Sequence, residues 1–339
     1  MDPAATDTAG PRAATSAISP APGTIPDTVV IGARGSKLAQ LMVAEFLAGL
    51  GGSCPVVRFS NRVVLTAGDR DRVSPLSAVG GASGGAFTSQ LESELREHRI
   101  DVAIHSLKDL PTDMPDGLAL ALTPGPRGDI REALVGAALG ALPYGARVGT
   151  GSPRRTAQLL AVRPDLRVIP VRGNVPGRLA QLKSAGLDAV MLAAAGLRRL
   201  GLDDAIAELL PLAEFPPSPG QGAIGVQVRS GDAELLAMLS ACGDVPADRA
   251  VRAERALLRA LHGGCSVPVG AYAVAERTGL TLTAQVTSLD GRQQVTGSAT
   301  GDDPEQIGAA LAASLIDRGA AKILAAIRPA RSAPGRPVT

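Results

Sequence analysis

Apolar residues along the chain fall in short runs broken by polar turns, and their spacing changes from stretch to stretch. Residues 28–33 form a continuous apolar run suited to a buried strand. Behind Ser36, a good helix cap, Ala39, Val43, Phe46, Leu47 and Leu50 recur at helical spacing and predict a helix over 37–50. A second unit runs from Val63 through a Gly- and Ser-rich stretch to a helix expected over about 88–99. The strand after it, 101–104, delivers His105 to Asp109 at its C-terminal end.

The middle third repeats this grammar. A strand at 147–149 leads through Thr150 to Pro153 into a helix, and a strand at 167–171 leads through Arg172 to Pro176 into another. A further strand at 188–192 ends in a third turn. Strands alternating with helices imply parallel α/β sheets, whose ligands gather where strands end and helices begin. The last third changes style. A helix over about 247–261 places Ala250, Ala253, Leu257 and Leu261 on one face, and Gly263 and Gly264 stop it. Alternating Leu280, Leu282, Ala284 and Val286, the hairpin signal Asp290-Gly291 and a helix over 304–316 describe a small α+β domain. Residues 1–26, and the Pro- and Arg-rich tail at 328–339, bury little and are expected to be disordered.

Composition narrows the classes. With 339 residues the chain is long enough for two or three domains. A net charge of +2 lacks the basic footprint of a nucleic-acid binder. No apolar run approaches the roughly 20 residues that span a bilayer, and no signal peptide opens the chain. The cysteines Cys54, Cys242 and Cys265 form no paired spacing, and the histidines are scattered, which argues for a reducing cytoplasm and against a metal site. Thirty of the 34 basic residues are arginine, so abundance of arginine means little and position means more.

Position is informative at three places. Ser152-Pro153 is a helix start followed at once by Arg154 and Arg155, and Asn174-Val-Pro176 repeats the device between Arg172 and Arg178. Arg34, beside Ser36, is a third instance. Helix N-termini carry unpaired N–H groups and partial positive charge, and arginine forks bind carboxylates or phosphates at two points. Asp109 reads either as a turn residue or as a carboxylate that opposes a developing cation. Cys265, after two glycines, reads either as a small buried hydrophobe or as a sulfur displayed on a loop.

Taken together, the segments His105-Ser-Leu-Lys-Asp109, Gly151-Ser-Pro-Arg-Arg155 and His262-Gly-Gly-Cys-Ser-Val-Pro268 resemble the porphobilinogen deaminase (hydroxymethylbilane synthase) family. Gly149 to Ser152, Val171 to Asn174, Leu192 to Arg199 and Pro219 to Gly222 match as well, so the similarity covers about 29–325. The resemblance implies two α/β domains like those of periplasmic binding proteins, at 27–124 with 222–241 and at 125–221, plus a small α+β domain at 245–327. It also implies a monomeric cytoplasmic transferase that joins four porphobilinogen molecules head to tail, with loss of ammonia, and releases hydroxymethylbilane. Neither nucleic acid nor membrane is an expected partner. A dipyrromethane cofactor, held on Cys265 by a thioether, is the implied primer.

The site residues follow from the same resemblance. Asp109 and Lys108 would be catalytic, and both would also hold the cofactor with Arg154, Arg155, Arg172, Ser152 and Ser106. Arg34, Ser36, Arg172, Arg178, Arg199 and Phe87 would bind substrate, and no metal is implied. The chain departs from the family at 74–90, where the loop is two residues longer and carries no basic residue, at Lys37, where Pro or a small residue is usual, and at Met42, where Gln is common. A catalytically impaired homologue or a small-anion binding protein of the same fold is the alternative.

Overall fold

A computed structural model describes residues 25–50, 57–71, 85–262, 267–276 and 279–327. Cys54, Cys265 with its flanking glycines, most of the 74–90 loop, the tail at 328–339 and nearly all of the N-terminal extension lie outside the described residues.

The chain opens with β1 (Thr28–Arg34), α1 (Lys37–Leu50), β2 (Arg58–Val64), the short α2 (Ala67–Arg70), α3 (Ser89–Arg96), β3 (Val102–Ser106) and β4 (Leu118–Leu120). It then crosses into β5 (Glu132–Val135), β6 (Arg147–Gly149), α4 (Pro153–Val162), β7 (Arg167–Ile169), α5 (Val175–Ser184), β8 (Ala189–Ala193), α6 (Ala194–Arg199) and β9 (Ile206–Leu209). It crosses back to β10 (Ile224–Arg229) and α7 (Ala233–Ala241). A third unit follows, made of α8 (Val245–Ala260), β11 (Val269–Glu276), β12 (Gly279–Thr287), β13 (Gln294–Gly301) and α9 (Pro304–Leu315).

Two five-stranded sheets result, in orders β2-β1-β3-β10-β4 and β7-β6-β8-β5-β9, with a three-stranded antiparallel sheet in the third unit. The expectation of purely parallel sheets needs correction. β1, β2 and β3 are mutually parallel, as are β6, β7 and β8, but β10 runs antiparallel to β3 and β4, and β5 antiparallel to β8 and β9. The cause is the double crossing. A chain that leaves one sheet at the C-terminal ends of its strands enters the next sheet from that same edge, so its first strand there must run the other way.

The helical stripe of α1 behaves as its spacing predicts: Ala39, Val43, Phe46 and Leu50 are buried against Val29, Ile31 and Ala33 of β1. In the third unit Leu280, Leu282, Ala284 and Val286 are buried on one face of β12, against Ala253 and Leu257 of α8 and Leu311 of α9. Here α8 and α9 approach closely because Gly308 has no side chain; a Cβ there would lie 2.6 Å from Ala256 Cβ. The helix expected over 88–99 stops at Arg96, where His98 adopts a left-handed φ of 55° and the chain turns back into the sheet. The following strand runs two residues further than predicted, since His105 and Ser106 still pair with Gly225 and Ile224.

One buried carboxylate ties the three units together. Glu254 of α8 has no exposed surface and accepts from Arg127 Nη1 at 2.7 Å and Nη2 at 2.9 Å. It also accepts from the backbone N–H of Gly220 at 2.7 Å and of Ala273, in β11, at 2.9 Å. Arg127 Nε donates to the carbonyl of Gln221 at 2.9 Å. Both crossing segments, at Arg127 and at Gly220-Gln221, are thereby fixed to the third unit. Breaking a buried ion pair by removing one partner leaves an uncompensated charge, so Glu254→Ala is expected to lower unfolding stability by about 3–5 kcal/mol. Urea denaturation measures this, and a loss under about 1 kcal/mol would contradict the role given to Glu254.

Candidate functional site

A cleft of about 860 Å³ lies where the C-terminal ends of β1, β3 and β8 face each other. Its shape follows from the topology, because both sheets direct their strand-to-helix turns at the gap. From the first sheet, β1 ends in Arg34, and Ser36 Oγ caps α1 by accepting from Ala39 N at 3.2 Å. Arg34 is held by Asp69, with Nη2 at 2.5 Å from Oδ1, and its guanidinium stacks 3.9 Å over the Phe87 ring. A second compartment of about 800 Å³ adjoins the first and shares Arg34, Ser36, Phe87 and Arg178 with it; Lys37, Asp69, Arg172 and Asn174 complete its polar wall.

β3 delivers the next group. Ser106 ends the strand, and Leu107–Asp109 form a single tight turn that presents Lys108 and Asp109 to the cleft. Leu107 is buried and its N–H donates to Ala223 O, which fixes the turn against the return crossing. Lys108 Nζ donates to Gln221 Oε1 at 3.0 Å. Burial chiefly, with Arg155 and Arg154 beside it, pushes the Lys108 ammonium down to about 8, while Asp109 and Glu132 oppose that fall. His105 is buried against Gln227, 3.1 Å away, and burial pushes it down to about 4, so it is neutral near pH 7.

The second sheet supplies the arginines. Ser152 caps α4, accepting from Arg155 N at 3.5 Å with Pro153 in the first turn, and Asn174 caps α5, accepting from Gly177 N at 2.9 Å. Arg178 Nε donates to Gly173 O at 2.8 Å, and burial first, then Arg155, pushes its guanidinium down to about 10. Arg172 Nη2 lies 3.4 Å from Asp71 O. Arg199 donates to Glu45 of α1, at 2.7 and 3.0 Å, and to Gly222 O at 2.9 Å.

The arginine pair itself is divided, which corrects the picture of two forks open to a ligand. Arg155 lines the cleft. Arg154 does not: Nη1 donates to Gln158 Oε1 and Pro216 O, each at 2.9 Å, and Nη2 donates to Glu132 Oε1 at 2.5 Å. Its position one residue earlier on α4 turns it into the interior. Ser152 lines neither compartment and acts through the cap. The other described candidates meet in the cleft: Arg34, Ser36, Phe87, Ser106, Lys108, Asp109, Arg155, Arg178 and Arg199 border the first compartment, and Arg172 the second.

Several functional groups escaped the sequence reading. Glu132, Asp69 and Glu45 are the internal counter-ions of the cleft arginines, and Gln221 holds Lys108. Gln221 lay within the Pro219–Gly222 segment, whereas Glu132 carries no local signal beyond opening an apolar strand. The donor set suits a ligand rich in carboxylates, such as a dipyrromethane bearing acetate and propionate arms. Among the described residues, the buried Nε atoms of Arg155 and Arg172 have no hydrogen-bond partner, and a carboxylate satisfies such donors.

Fold and cleft together define a two-lobed α/β protein with an appended third domain and a cleft whose charged groups are mostly cationic. Residues 29–237 match the family model "Porphobilinogen deaminase, dipyromethane cofactor binding domain", and residues 249–317 match "Porphobilinogen deaminase, C-terminal domain". The chain belongs to the porphobilinogen deaminase family. It is 46% identical over 305 residues to the porphobilinogen deaminase of Desulforudis audaxviator, covering 88% of this chain and 98% of that one. Against the porphobilinogen deaminase of Rubrobacter xylanophilus it is 46% identical over 303 residues, covering 88% and 97%. The periplasmic VFT2 domain of Bordetella pertussis BvgS superposes with a TM-score of 0.39 at 15% identity, covering 64% of this chain and 86% of that domain. The chain is thus a transferase of tetrapyrrole biosynthesis with a dipyrromethane cofactor.

Lys108 gives the cleft a pH dependence. The ammonium is charged below about 8 and loses its proton above it, which removes one cation from the cleft wall. KM for porphobilinogen at constant ionic strength is therefore expected to rise as pH passes through about 8, and Lys108→Arg should keep KM flat across that range. A wild-type KM that stays flat to pH ~10, near the ordinary lysine value, would contradict the assignment.

Proposed function

We propose that Asp109 and the arginine-lined turns around it carry out the family's reaction, the head-to-tail joining of four porphobilinogen units with loss of ammonia. The observation that carries this reading is the placement of one carboxylate, Asp109, in a cleft whose other charged groups are the cations Arg34, Lys108, Arg155, Arg178 and Arg199. Arg34, Ser36, Arg178 and Arg199 are the residues assigned to the substrate's carboxylates, with Phe87 against its ring. Arg155, Arg172 and Ser106 are assigned to the cofactor's carboxylates, with Lys108 and Asp109 beside them, while Arg154 and Ser152 support the α4 turn. The dipyrromethane, when bound, supplies the primer to which units are added, and Cys265 is the thiol assigned to carry it.

Asp109 acts on the substrate. As the aminomethyl group of porphobilinogen leaves as ammonia, positive charge develops over the pyrrole, and a fixed carboxylate in a partly dry cleft opposes it. The same carboxylate accepts a hydrogen bond from a pyrrole N–H and orients the ring. Lys108, charged below about 8, balances Asp109 and pairs with ligand carboxylates. Arg178 and Arg34 exclude water from the substrate's acid arms by occupying their lone pairs in two-point contacts.

The domain limits 27–124 with 222–241, 125–221 and 245–327 belong to the same reading, supported by the three separate sheets. So does a monomer working in the cytoplasm; among the described residues no helix is long and apolar enough to cross a membrane. No observation favours the alternative of an impaired homologue or a binding protein.

Asp109→Asn keeps size and removes the charge. Turnover is expected to fall by about 10²–10³, with the cofactor still attached. Unchanged turnover in a folded, cofactor-bearing variant would remove Asp109 from its role. Intact mass spectrometry tests the attachment separately: wild type, Cys54→Ser and Cys242→Ser should carry the mass of two pyrrole units, and Cys265→Ser should not. An adduct on Cys265→Ser protein would place the cofactor elsewhere.

A further inference from the structure

We propose that Glu132, at the entry of β5, is a positioning residue that divides the Arg154–Arg155 pair, making Arg154 a strut and holding Arg155 on the cleft wall. The inference rests on the carboxylate-binding role given above to Arg155. Glu132 has no exposed surface. Its Oε1 accepts from Arg154 Nη2 at 2.5 Å, and its Oε2 lies 2.7 Å from Arg155 Nη2, an ion pair bent away from straight hydrogen-bond geometry. Arg154 is held further by Gln158 and Pro216, both through Nη1. Arg155 is tethered a second time, from Nη1 to Met191 O at 3.1 Å, and its Nε remains without a partner among the described residues. A guanidinium has five N–H donors, so a doubly tethered Arg155 still has donors for a ligand and cannot swing away from it.

The charge balance points the same way. Arg154 and Arg155 from α4, Lys108 and Asp109 from the turn after β3, and Glu132 from β5 are the charged groups that face one another here, with neutral Gln221 on Lys108. Burial alone would push the Glu132 carboxyl up, but Arg155, Arg154 and Lys108 outweigh it and hold the group ionised, down at about 2. Two carboxylates against three cations leave a net positive charge for an incoming anion. Replace Glu132 with a neutral group and the cations repel more strongly: Arg155 loses one of its two tethers, and Lys108 loses a group that helps it keep its proton.

The full-length protein tests this through four variants: Glu132→Gln, Glu132→Asp, the double variant Glu132→Gln/Arg154→Gln, and Arg155→Leu. Glu132→Gln strands two buried cations and is expected to lower the melting temperature. The double variant removes charge of both signs together and should recover most of that loss, since a buried pair is replaced more safely than broken. Its binding should not recover. Either the fraction bearing the dipyrromethane mass falls below that of wild type, or KM for porphobilinogen rises by about tenfold or more with kcat within about threefold. In the single Glu132→Gln variant the alkaline limb of the pH profile moves to lower pH, whereas Glu132→Asp, which keeps the charge, leaves it in place. A double variant with wild-type cofactor content and KM, alongside an impaired Arg155→Leu, overturns the positioning role and leaves the cleft assignment standing. If Arg155→Leu is itself indistinguishable from wild type in cofactor content and KM, the assignment of Arg155 to the ligand falls, and the inference with it.

Discussion

A cleft that binds many carboxylates must first hold many cations close together without its ligand, and out of much of the solvent. This repulsion is the constraint around which the structure is arranged. Nearly every cleft arginine has an internal acceptor: Glu132 serves Arg154 and Arg155, Asp69 serves Arg34, Glu45 serves Arg199, and the Gly173 carbonyl serves Arg178. The acceptors differ in consequence. Glu132 is buried and is held between Arg154 and Arg155, whereas Glu45 is more than a third exposed, so its pair with Arg199 is weakened by solvent. What cannot be offset appears as the lowered proton affinity of Lys108 and Arg178, where burial and neighbouring guanidiniums act together.

The topology is what makes such compensation possible. Because the chain crosses from one sheet to the other at the cleft edge, β5 and β10 begin at the cleft while the other inner strands end there. A strand that begins at the cleft can place a carboxylate, Glu132, behind the helix N-terminus that bears the arginines. The return crossing contributes in a similar way. Gln221 holds Lys108 through its side chain and accepts from Arg127 through its backbone carbonyl, and Arg127 pairs with Glu254 of the third domain. An unbroken run of polar contacts therefore leads from α8 to the lysine beside Asp109. The domain that contains Cys265 in its sequence is tied to the same crossing segment that holds Lys108.

Much of this was legible in the sequence, and the reasons are local. The turns at Ser152-Pro153 and Asn174-Val-Pro176 announce helix starts through capping chemistry that works within four residues, and both caps form. The α1 stripe and the alternation in β12 express one-sided burial, which is periodic and so visible without a fold. Glu132 was not legible, because its meaning depends on α4 lying beside β5, a contact between residues 22 apart. Arg154 differs from Arg155 for a related reason: sequence gives adjacent arginines the same rank, but neighbours on a helix point about 100° apart, so Arg155 lines the cleft and Arg154 meets Pro216. The antiparallel strands β5 and β10 were missed because hydrophobic pattern carries no direction, and only the double crossing fixes it.

The absence of lysines from the loop at 74–90 acquires a different weight in this setting. Only the end of that loop is described, where Phe87 stacks on Arg34 and closes over the shared edge of both compartments. The cations that border the cleft stand at the ends of strands and helices: Arg34 and Lys37 around the turn from β1 to α1, Lys108 after β3, Arg155 at the start of α4, Arg172 and Arg178 around the start of α5, and Arg199 at the C-terminal end of α6. Such positions move little, since each is anchored by a sheet behind it and by caps or pairs beside it. Charges fixed in this way need no ordering when ligand arrives, and half-buried pairs are screened by salt less than those on an open loop. A chain that carries its positive charge on the scaffold can leave the loop to shape and apolar contact, which is what the placement of Phe87 provides.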